Sequence, residues 1–410
     1  MRLDCPGSPH LTYCTNIHPG ETWEAVRQNV FTHVLAVKER ACPNRPFAVG
    51  LRLSARAASV LAAEAELEQL RGFLKEHALY VSSLNGFPYG VFHGTAVKEA
   101  VYLPDWRDSA RLQYSNQLAE ILAALMPEGT ELAGTVSTVP GAFRAHVNSP
   151  ADIACIAEHL IAHAAFLHRL RDRTGQLITL ALEPEPFCYL ETTSQAIAFF
   201  EDHLFTRAAA MRFVGLTGVS LHDGESALRS HLGICLDACH AAVEYENPAS
   251  ALDALASAGI HVGKIQLSTG LEVDFTGAGE RDSDRLALLD RLRPFAEGVY
   301  LHQVVARIGS TFHHTLDLPA AIAAAERDPS QLAVWRIHFH VPIFRESLGP
   351  FRNTQPLLRE LLAIVKKRPV SAHLEVETYT WDVLPEEHRR EAIDDAIARE
   401  LSWVSQRLSS

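Results

Sequence analysis

Four acidic or amide side chains stand near the ends of strand-like segments, where they could form a shared site. They are Glu183 in "LITLALE", Asp237 in "LGICLD", Gln266 in "VGKIQLS" and Glu375 in "HLEVET". On each segment the positions beside these residues are apolar, so the polar side chains share one face. Catalytic groups of a barrel collect at the C-terminal ends of its strands, and we therefore expect these four side chains to converge.

Convergence of three carboxylates without a cation would be unfavourable, because like charges repel and raise one another's pKa. A divalent metal ion removes this conflict. Three carboxylates and an amide oxygen suit Mg²⁺ or Mn²⁺, with Zn²⁺ and Co²⁺ as alternatives. Each residue also has a purely structural interpretation; Asp237, for example, could cap the helix that follows it. The sequence predicts one divalent metal ion and leaves its identity open.

Other polar residues at strand ends extend this candidate site. His240 follows Asp237 by three positions, and Lys264 shares a strand face with Gln266. Lys264 is equally consistent with a buried barrel lysine that pairs with a carboxylate. The candidates for substrate binding at the remaining strand ends are Asn16, His18, Asn85, His302, His338 and His340.

The elements that must position these residues alternate between strand and helix almost from end to end. Such alternation with short turns favours parallel strands covered by helices. A doubly wound sheet would have a glycine-rich phosphate loop after its first strand, and "TNIHPGETW" is not one. We therefore predict a (β/α)8 TIM barrel. The strand candidates are residues 12–17, 47–53, 78–84, 131–137, 177–183, 232–237, 262–268, 299–305, 335–341 and 373–378.

Ten strand candidates exceed the eight of a barrel, so part of the chain must lie outside it. We expect one domain over residues 1–410 with an insertion at 270–334, where "GLEVDFTGAGERDSD" is loop-like. Whether 299–305 or 335–341 lies outside the barrel is left open. A helix is predicted over 150–174, because Ser149 is a good N-cap, Pro150 suits the first turn and Gly175 ends the pattern.

Composition narrows the class of protein. The chain has 410 residues, 47% hydrophobic and 21% charged, with a net charge of -12. This charge argues against nucleic-acid partners, whose phosphates attract Lys and Arg. The seven cysteines are scattered and odd in number, which indicates reduced thiols. We expect a cytoplasmic protein without membrane insertion whose partner is a small-molecule metabolite; the oligomeric state is not predicted.

The motifs "ALEP", "CLDACH", "KIQLS" and "HLEVE" resemble the metal-site motifs of the xylose isomerase-like TIM barrels, the sugar phosphate isomerase/epimerase superfamily. The resemblance implies that Glu183, Asp237, Gln266 and Glu375 hold one divalent ion and that His240 lies near the substrate. The phrases "YCTNIHPGETW", "SSLNGFPYG" and "LEVETYTW" are similar to the metabolite traffic proteins of this superfamily. This similarity runs over nearly the whole chain.

The resemblance also implies a chemistry. Glu183 and Glu375 would exchange protons with a substrate held as an enediolate, with Lys264 and His240 beside it. One feature departs from the family, since more than a hundred residues separate Gln266 from Glu375. His302, His338 or His340 could enter the site from this segment, or replace Gln266.

Three other functions remain open. The first is a carrier that binds a metabolite at the metal without changing it. The second is a metal-dependent hydrolase, suggested by the His-x-His of "HFHVP", although amidohydrolases carry that motif on their first strand. The third is a DNA-repair endonuclease of the same superfamily, against which the net charge of -12 counts.

Overall fold

The computed structural model describes residues 1–127, 129, 131–276, 282–328 and 333–409. The strands are β1 (His10–Tyr13), β2 (Phe47–Arg52), β3 (Leu79–Asn85), β4 (Gly134–Thr138), β5 (Ile178–Leu182), β6 (Leu232–Asp237), β7 (Val262–Leu267), β8 (Gly270–Asp274), β9 (Val304–Ile308), β10 (Thr311–Thr315), β11 (Val334–His340), β12 (Ser347–Leu348), β13 (Phe351–Asn353) and β14 (His373–Val376). The helices are α1 (Trp23–Asn29), α2 (Leu35–Ala41), α3 (Ala55–Leu61), α4 (Glu64–Glu76), α5 (Ser109–Leu125), α6 (Pro150–Thr174), α7 (Thr193–Phe199), α8 (Arg207–Thr217), α9 (Leu221–His231), α10 (Ala238–Val243), α11 (Pro248–Ser257), α12 (Asp282–Leu292), α13 (Leu318–Arg327), α14 (Gln355–Val365) and α15 (Ile393–Leu408).

Eight parallel strands form a nearly closed barrel in the order β1-β14-β7-β6-β5-β4-β3-β2. The seam between β1 and β2 has one backbone bridge, between Cys14 and Gly50. A threonine hydroxyl adds two hydrogen bonds across the seam. The Thr12 hydroxyl donates to the carbonyl of Ala48 at 2.6 Å and accepts from the Gly50 amide at 3.1 Å. Side chains thus replace missing ladder bonds at the seam, and the predicted (β/α)8 TIM barrel is confirmed.

Most predicted elements occur at nearly their predicted positions. Strand β6 has the predicted bounds, and α6 begins with a capping box between Ser149 and Asp152 and ends at Gly175 with φ 76°. The prediction of a strand over 12–17 was too long, because β1 ends at Tyr13 and a 3-10 turn follows. That turn directs Asn16 to Glu377, to which its amide donates at 2.8 Å.

Helix α6 is long and apolar enough, by length and composition alone, to cross a membrane. This is weak support for a span, because the helix lies against the barrel rather than apart from it. The face that carries Ile156, Leu160 and Leu167 is buried in the main core. The packing is that of an amphipathic core helix.

A second, antiparallel sheet is inserted between β7 and α14, with the order β10-β9-β11-β8-β13-β12. It extends from Gly270 to Asn353 and so includes the predicted insertion and continues beyond it; residues 277–281 and 329–332 of that prediction lie outside the described residues. Both strand candidates between which the sequence could not choose lie outside the barrel: 335–341 corresponds to β11, whereas 299–305 was placed too early, because β9 begins only at Val304. The sheet has its own apolar core, which includes Leu271, Phe295, Trp335, Ile337, Phe339 and Phe351.

Strand β11 of the second sheet ends at the mouth of the barrel. The Val341 amide donates to the carbonyl of Thr269 at 2.9 Å, and the Thr269 hydroxyl donates to the carbonyl of Val341 at 2.8 Å. Thr269 comes two residues after β7, so these bonds hold the end of β11 beside a barrel strand. His338 and His340 are thereby placed over the C-terminal ends of the barrel strands.

We predict that Gly50→Ala destabilises the fold, because its Cβ would lie 2.4 Å from Oε2 of Glu375 and 2.5 Å from the carbonyl oxygen of Tyr13. A backbone atom cannot move away cheaply, so we expect a loss of about 1–3 kcal/mol in the free energy of unfolding. Gly72→Ala is the control, because it lies in α4 with nothing within 4 Å. Helix propensity should make that variant more stable by about 0.5–1 kcal/mol. Equal effects in urea denaturation would contradict the packing described for the barrel seam.

Candidate metal centre

Asp237 ends β6 with one carboxylate oxygen bonded and the other free. Its Oδ1 accepts from the His240 amide at 2.9 Å and from the Ser268 hydroxyl at 2.8 Å, which makes Asp237 the N-cap of α10. Its Oδ2 is buried and has no hydrogen-bond partner among the described residues. Helix capping and a place in a site are therefore compatible, because each uses a different oxygen.

Two glutamates from the end of β5 lie beside Asp237. Glu183 and Glu185 are 2% and 4% exposed, and Oε2 of each has no hydrogen-bond partner within the described chain. Burial raises the pKa of both carboxyl groups to about 7, and the nearby Asp237 adds to the effect while His240 opposes it. The positive charges among the described residues therefore offset the burial of these two carboxyl groups only in part.

Glu375 does not share this environment. Its Oε1 pairs with Nζ of Lys264 at 3.0 Å, its Oε2 accepts from the Ser83 hydroxyl at 2.9 Å, and both charged side chains are 0% exposed. Burial alone would lower the pKa of Lys264, but the Glu375 carboxylate keeps it above the ordinary value. Lys264 and Glu375 thus form a closed ion pair inside the barrel. This agrees with the structural interpretation that the sequence left open for Lys264.

Glu377, two residues farther along the chain, occupies the mouth of the barrel. Its Oε1 accepts from the side-chain amides of Asn16 at 2.8 Å and Asn85 at 3.1 Å. Burial raises its pKa well above the usual range, and the charges of Glu183 and Asp237 add to this. The Glu377 carboxyl group therefore interacts with the charges of Glu183 and Asp237, although Glu377 lies on the same strand face as the paired Glu375.

Three histidines face these carboxylates, and their hydrogen bonds fix which ring nitrogen is protonated. Nδ1 of His240 lies 3.0 Å from the carbonyl oxygen of Pro184, and Nδ1 of His340 lies 2.9 Å from that of Glu377. Nδ1 of His338 lies 2.7 Å from Oε1 of Gln303. These oxygens only accept, so each Nδ1 donates and each neutral ring keeps a lone pair on Nε2.

The orientation of the Gln303 amide supports this assignment. Its Nε2 donates to the Tyr102 hydroxyl at 3.0 Å and to the carbonyl of Pro186 at 3.3 Å. Its Oε1 is therefore the atom that accepts from His338. Metal-binding histidines usually donate their second ring N–H to a carbonyl or carboxylate in this way.

The Nε2 atoms of the three rings lie close together. Nε2 of His240 lies 3.0 Å from Nε2 of His338, and Nε2 of His340 is buried without a partner among the described residues. Two lone pairs at that distance repel unless a proton or a cation lies between them. Burial lowers the pKa of His240, but the carboxylates of Asp237, Glu185 and Glu183 raise it above the ordinary value, so a proton on its Nε2 accounts for this contact. Potential ligand atoms of Asp237, His240 and His340 all lie within 4.8 Å of one another, as do those of Glu185, His240 and His338.

The donor set fits a divalent cation. Carboxylate oxygens of Asp237, Glu183 and Glu185 and Nε2 of His340 are buried here, and each lacks a hydrogen-bond partner among the described residues, which a bound cation would supply. Mixed oxygen and nitrogen donors suit Mn²⁺, Co²⁺ and Zn²⁺ better than Mg²⁺, which prefers oxygen alone. Gln266 lies next to these ligand candidates, because it is the strand neighbour of Asp237 on β6 and of Glu375 on β14. Its side-chain Nε2 and Oε1 are buried and lack hydrogen bonds within the described structure.

Two sequence candidates are directed elsewhere. His18 contacts the hydroxyl of Tyr13 at 3.1 Å and stacks on His33. His302 contacts Glu297 at 2.7 Å and the carbonyl of His338 at 2.9 Å, so it supports β11 from behind. Asn16, Asn85, His240 and His338 line the cavity at the barrel mouth, whereas His302 and His18 do not.

The residues that line the cavity and were not assigned from the sequence include Glu185, Tyr102 and Tyr379. The Tyr102 hydroxyl donates to Oε1 of Glu185 at 2.7 Å. Glu185 had a signal, since it lies two positions after Glu183 in "LEPEP". Tyr102 had none, because it comes from the long β3–α5 connection.

We predict that Glu375, which lies on β14, and Glu377, which directly follows this strand, differ in their importance for metal binding. Glu377→Gln should lower the metal content of the purified protein, because it removes a charge from the donor set. Glu375→Gln should keep the metal but lose about 3–5 kcal/mol of stability, because it leaves Lys264 buried and unpaired. Elemental analysis and urea denaturation measure the two effects.

The double variant Lys264→Met/Glu375→Gln is the control for folding, since it removes both members of the ion pair. It should regain stability relative to Glu375→Gln and bind metal. Loss of metal in Glu375→Gln and the double variant, with retention in Glu377→Gln, would contradict the assignment.

Comparisons with known proteins show the fold. No protein-family model matches the sequence, and a search of curated proteins finds no match. Among solved structures, a xylose isomerase-like TIM barrel protein from Mycobacterium smegmatis in complex with magnesium superposes with a TM-score of 0.51 at 11% identity, covering 99% of this chain and 98% of that one. A xylose isomerase domain protein from Planctomyces limnophilus has a TM-score of 0.47 at 12% identity over 92% of both chains. The zinc-bound IOLI protein has a TM-score of 0.44 at 14% identity, over 98% of this chain and 99% of that one. The chain has the fold of a xylose isomerase-like TIM barrel.

Proposed function

We propose that this protein is a divalent-metal-dependent enzyme of the isomerase or epimerase type, acting on a small hydroxy-carbonyl metabolite. The observation that carries the proposal is the convergence of unpartnered carboxylate oxygens and imidazole nitrogens at the C-terminal end of the barrel. Active sites of TIM barrels lie at this end. A cavity adjoins this site and is lined by Glu183, Glu185 and Glu377 on its polar side, so a small metabolite that enters it would contact these carboxyl groups.

In this proposal Glu183, Asp237, Glu377 and His340 hold one metal ion, with Gln266 adjacent. Glu377 takes the place that the sequence resemblance gave to Glu375. When bound, the metal would polarise neighbouring carbonyl and hydroxyl oxygens of a substrate and make the adjacent C–H more acidic.

The residues of the chain then have distinct tasks. Glu185 lines the cavity, has a free Oε2 and is oriented by the Tyr102 hydroxyl at its other oxygen, so it is placed to take and return a proton. Asn16 and Asn85 hold Glu377 in position. His240 and His338 face the cavity and can bind substrate hydroxyls.

The resemblance of "YCTNIHPGETW" and "LEVETYTW" to EboE, the metabolite traffic protein of the superfamily, supports a role in a metabolite-trafficking pathway. A pure carrier would use the same metal and cavity but would leave its ligand unchanged. Exchange of a substrate proton with solvent distinguishes an enzyme from a carrier, because a carrier has no step that breaks a C–H bond.

We predict that the Mn²⁺-loaded protein exchanges the carbon-bound proton next to the carbonyl of short α-hydroxyketones or ketoses with D₂O, as followed by NMR. Chelation of the metal should abolish exchange. Glu185→Gln should slow it by about 10²–10⁴-fold, the usual effect of losing a general base, while the metal stays bound. Glu76→Gln, an exposed carboxyl change on α4, is the control and should have no effect. Binding of these compounds without exchange would contradict the enzyme and support the carrier.

A further inference from the structure

The cavity above the candidate metal centre has walls of two different kinds. Its floor carries the acidic and imidazole groups of the site. Its upper walls are almost entirely apolar and comprise Phe87, Phe92, Val97, Val101, Tyr300 and Leu301. A ligand that fills the cavity must therefore present a polar end to the floor and an apolar end to the walls.

The cations nearest the walls are already neutralised. The Lys98 ammonium donates to Oδ2 of Asp317 at 2.7 Å and to the carbonyl oxygen of Tyr300 at 2.6 Å. Arg52, beneath Phe92, pairs with Glu21 at 2.9 Å and donates to the carbonyl of Gly90 at 2.7 Å. A phosphate or carboxylate at the apolar end would lose its hydration and gain no partner, which is costly.

The apolar walls are also built in advance. Val97 donates its amide to the carbonyl of Val299 at 2.9 Å, which joins the β3–α5 connection to the inserted segment. Arg111, 0% exposed, donates to the carbonyls of Gly86 at 2.7 Å and Phe87 at 3.0 Å. The ring of Phe92 lies 5.0 Å from that of Tyr300. Pre-organised walls reduce the ordering cost of ligand binding.

We infer that the substrate is a small hydroxy-carbonyl compound with an apolar aliphatic or aromatic substituent, rather than a phosphorylated or fully hydroxylated sugar. This inference rests on the proposed function, which places the hydroxy-carbonyl end at the floor. The substituent lies between the β3–α5 connection and residues 299–301 of the inserted segment. The insertion therefore sets specificity at the far end of the substrate.

The test is calorimetric titration of the Mn²⁺-loaded protein with three probes: hydroxyacetone, 1-hydroxy-3-phenylpropan-2-one and dihydroxyacetone phosphate. The phenyl probe should bind at least tenfold more tightly than hydroxyacetone, and the phosphate should give no gain. Val101→Asp should remove the advantage of the phenyl group, so that the phenyl probe binds no more tightly than hydroxyacetone. Val91→Asp is the matched control on the same connection, because Val91 is 54% exposed and does not line the cavity.

The outcomes separate the two proposals. If hydroxyacetone binds but the phenyl group gives no gain, or the phosphate binds most tightly, the inference is overturned and the proposed function stands. If none of the three probes binds to the loaded protein, the proposed function fails and the inference fails with it. A phenyl advantage that survives in Val101→Asp would also overturn the assigned location.

Discussion

Burial of several carboxylates at one end of a barrel is the physical constraint on which the rest of the structure depends. Each buried carboxylate needs a positive charge or a set of hydrogen-bond donors, because its hydration has been lost. Glu375 obtains both from Lys264 and Ser83. Glu183 and Asp237 keep an oxygen without any partner among the described residues. The chain has thus compensated one buried carboxylate fully and left its neighbours available to a ligand.

The barrel and the inserted sheet divide the task of building the site. The barrel strands supply Glu183 and Asp237 at their C-terminal ends, the face at which TIM barrels carry their active sites. The inserted sheet supplies His338 and His340 from β11, two residues apart and on one face. Hydrogen bonds between Thr269 and Val341 fix this strand at the barrel mouth, so the imidazoles and carboxylates share a single environment. The insertion is therefore part of the candidate site as well as the roof of the cavity.

The sequence contained most of the fold and part of the site, for identifiable reasons. Strands such as β6 are short and buried along their whole length, so a continuous apolar run is sufficient to locate them. The motif resemblance selected Glu375 and not Glu377, because alternation places both on one face and only the stagger of the barrel decides their depth. The pairing of Lys264 with Glu375 was one of two open interpretations. Tyr102 and the apolar walls depend on long-range contacts that carry no local signal.

Anomalous X-ray diffraction from crystals grown with Mn²⁺ tests most directly whether the buried carboxylates and imidazoles at the barrel mouth form a metal centre. We expect a peak in the anomalous difference map within bonding distance of Glu183, Asp237, Glu377 and His340. Absence of a peak there, or a peak only at another cluster such as His18, His33 and Asp394, would contradict this expectation.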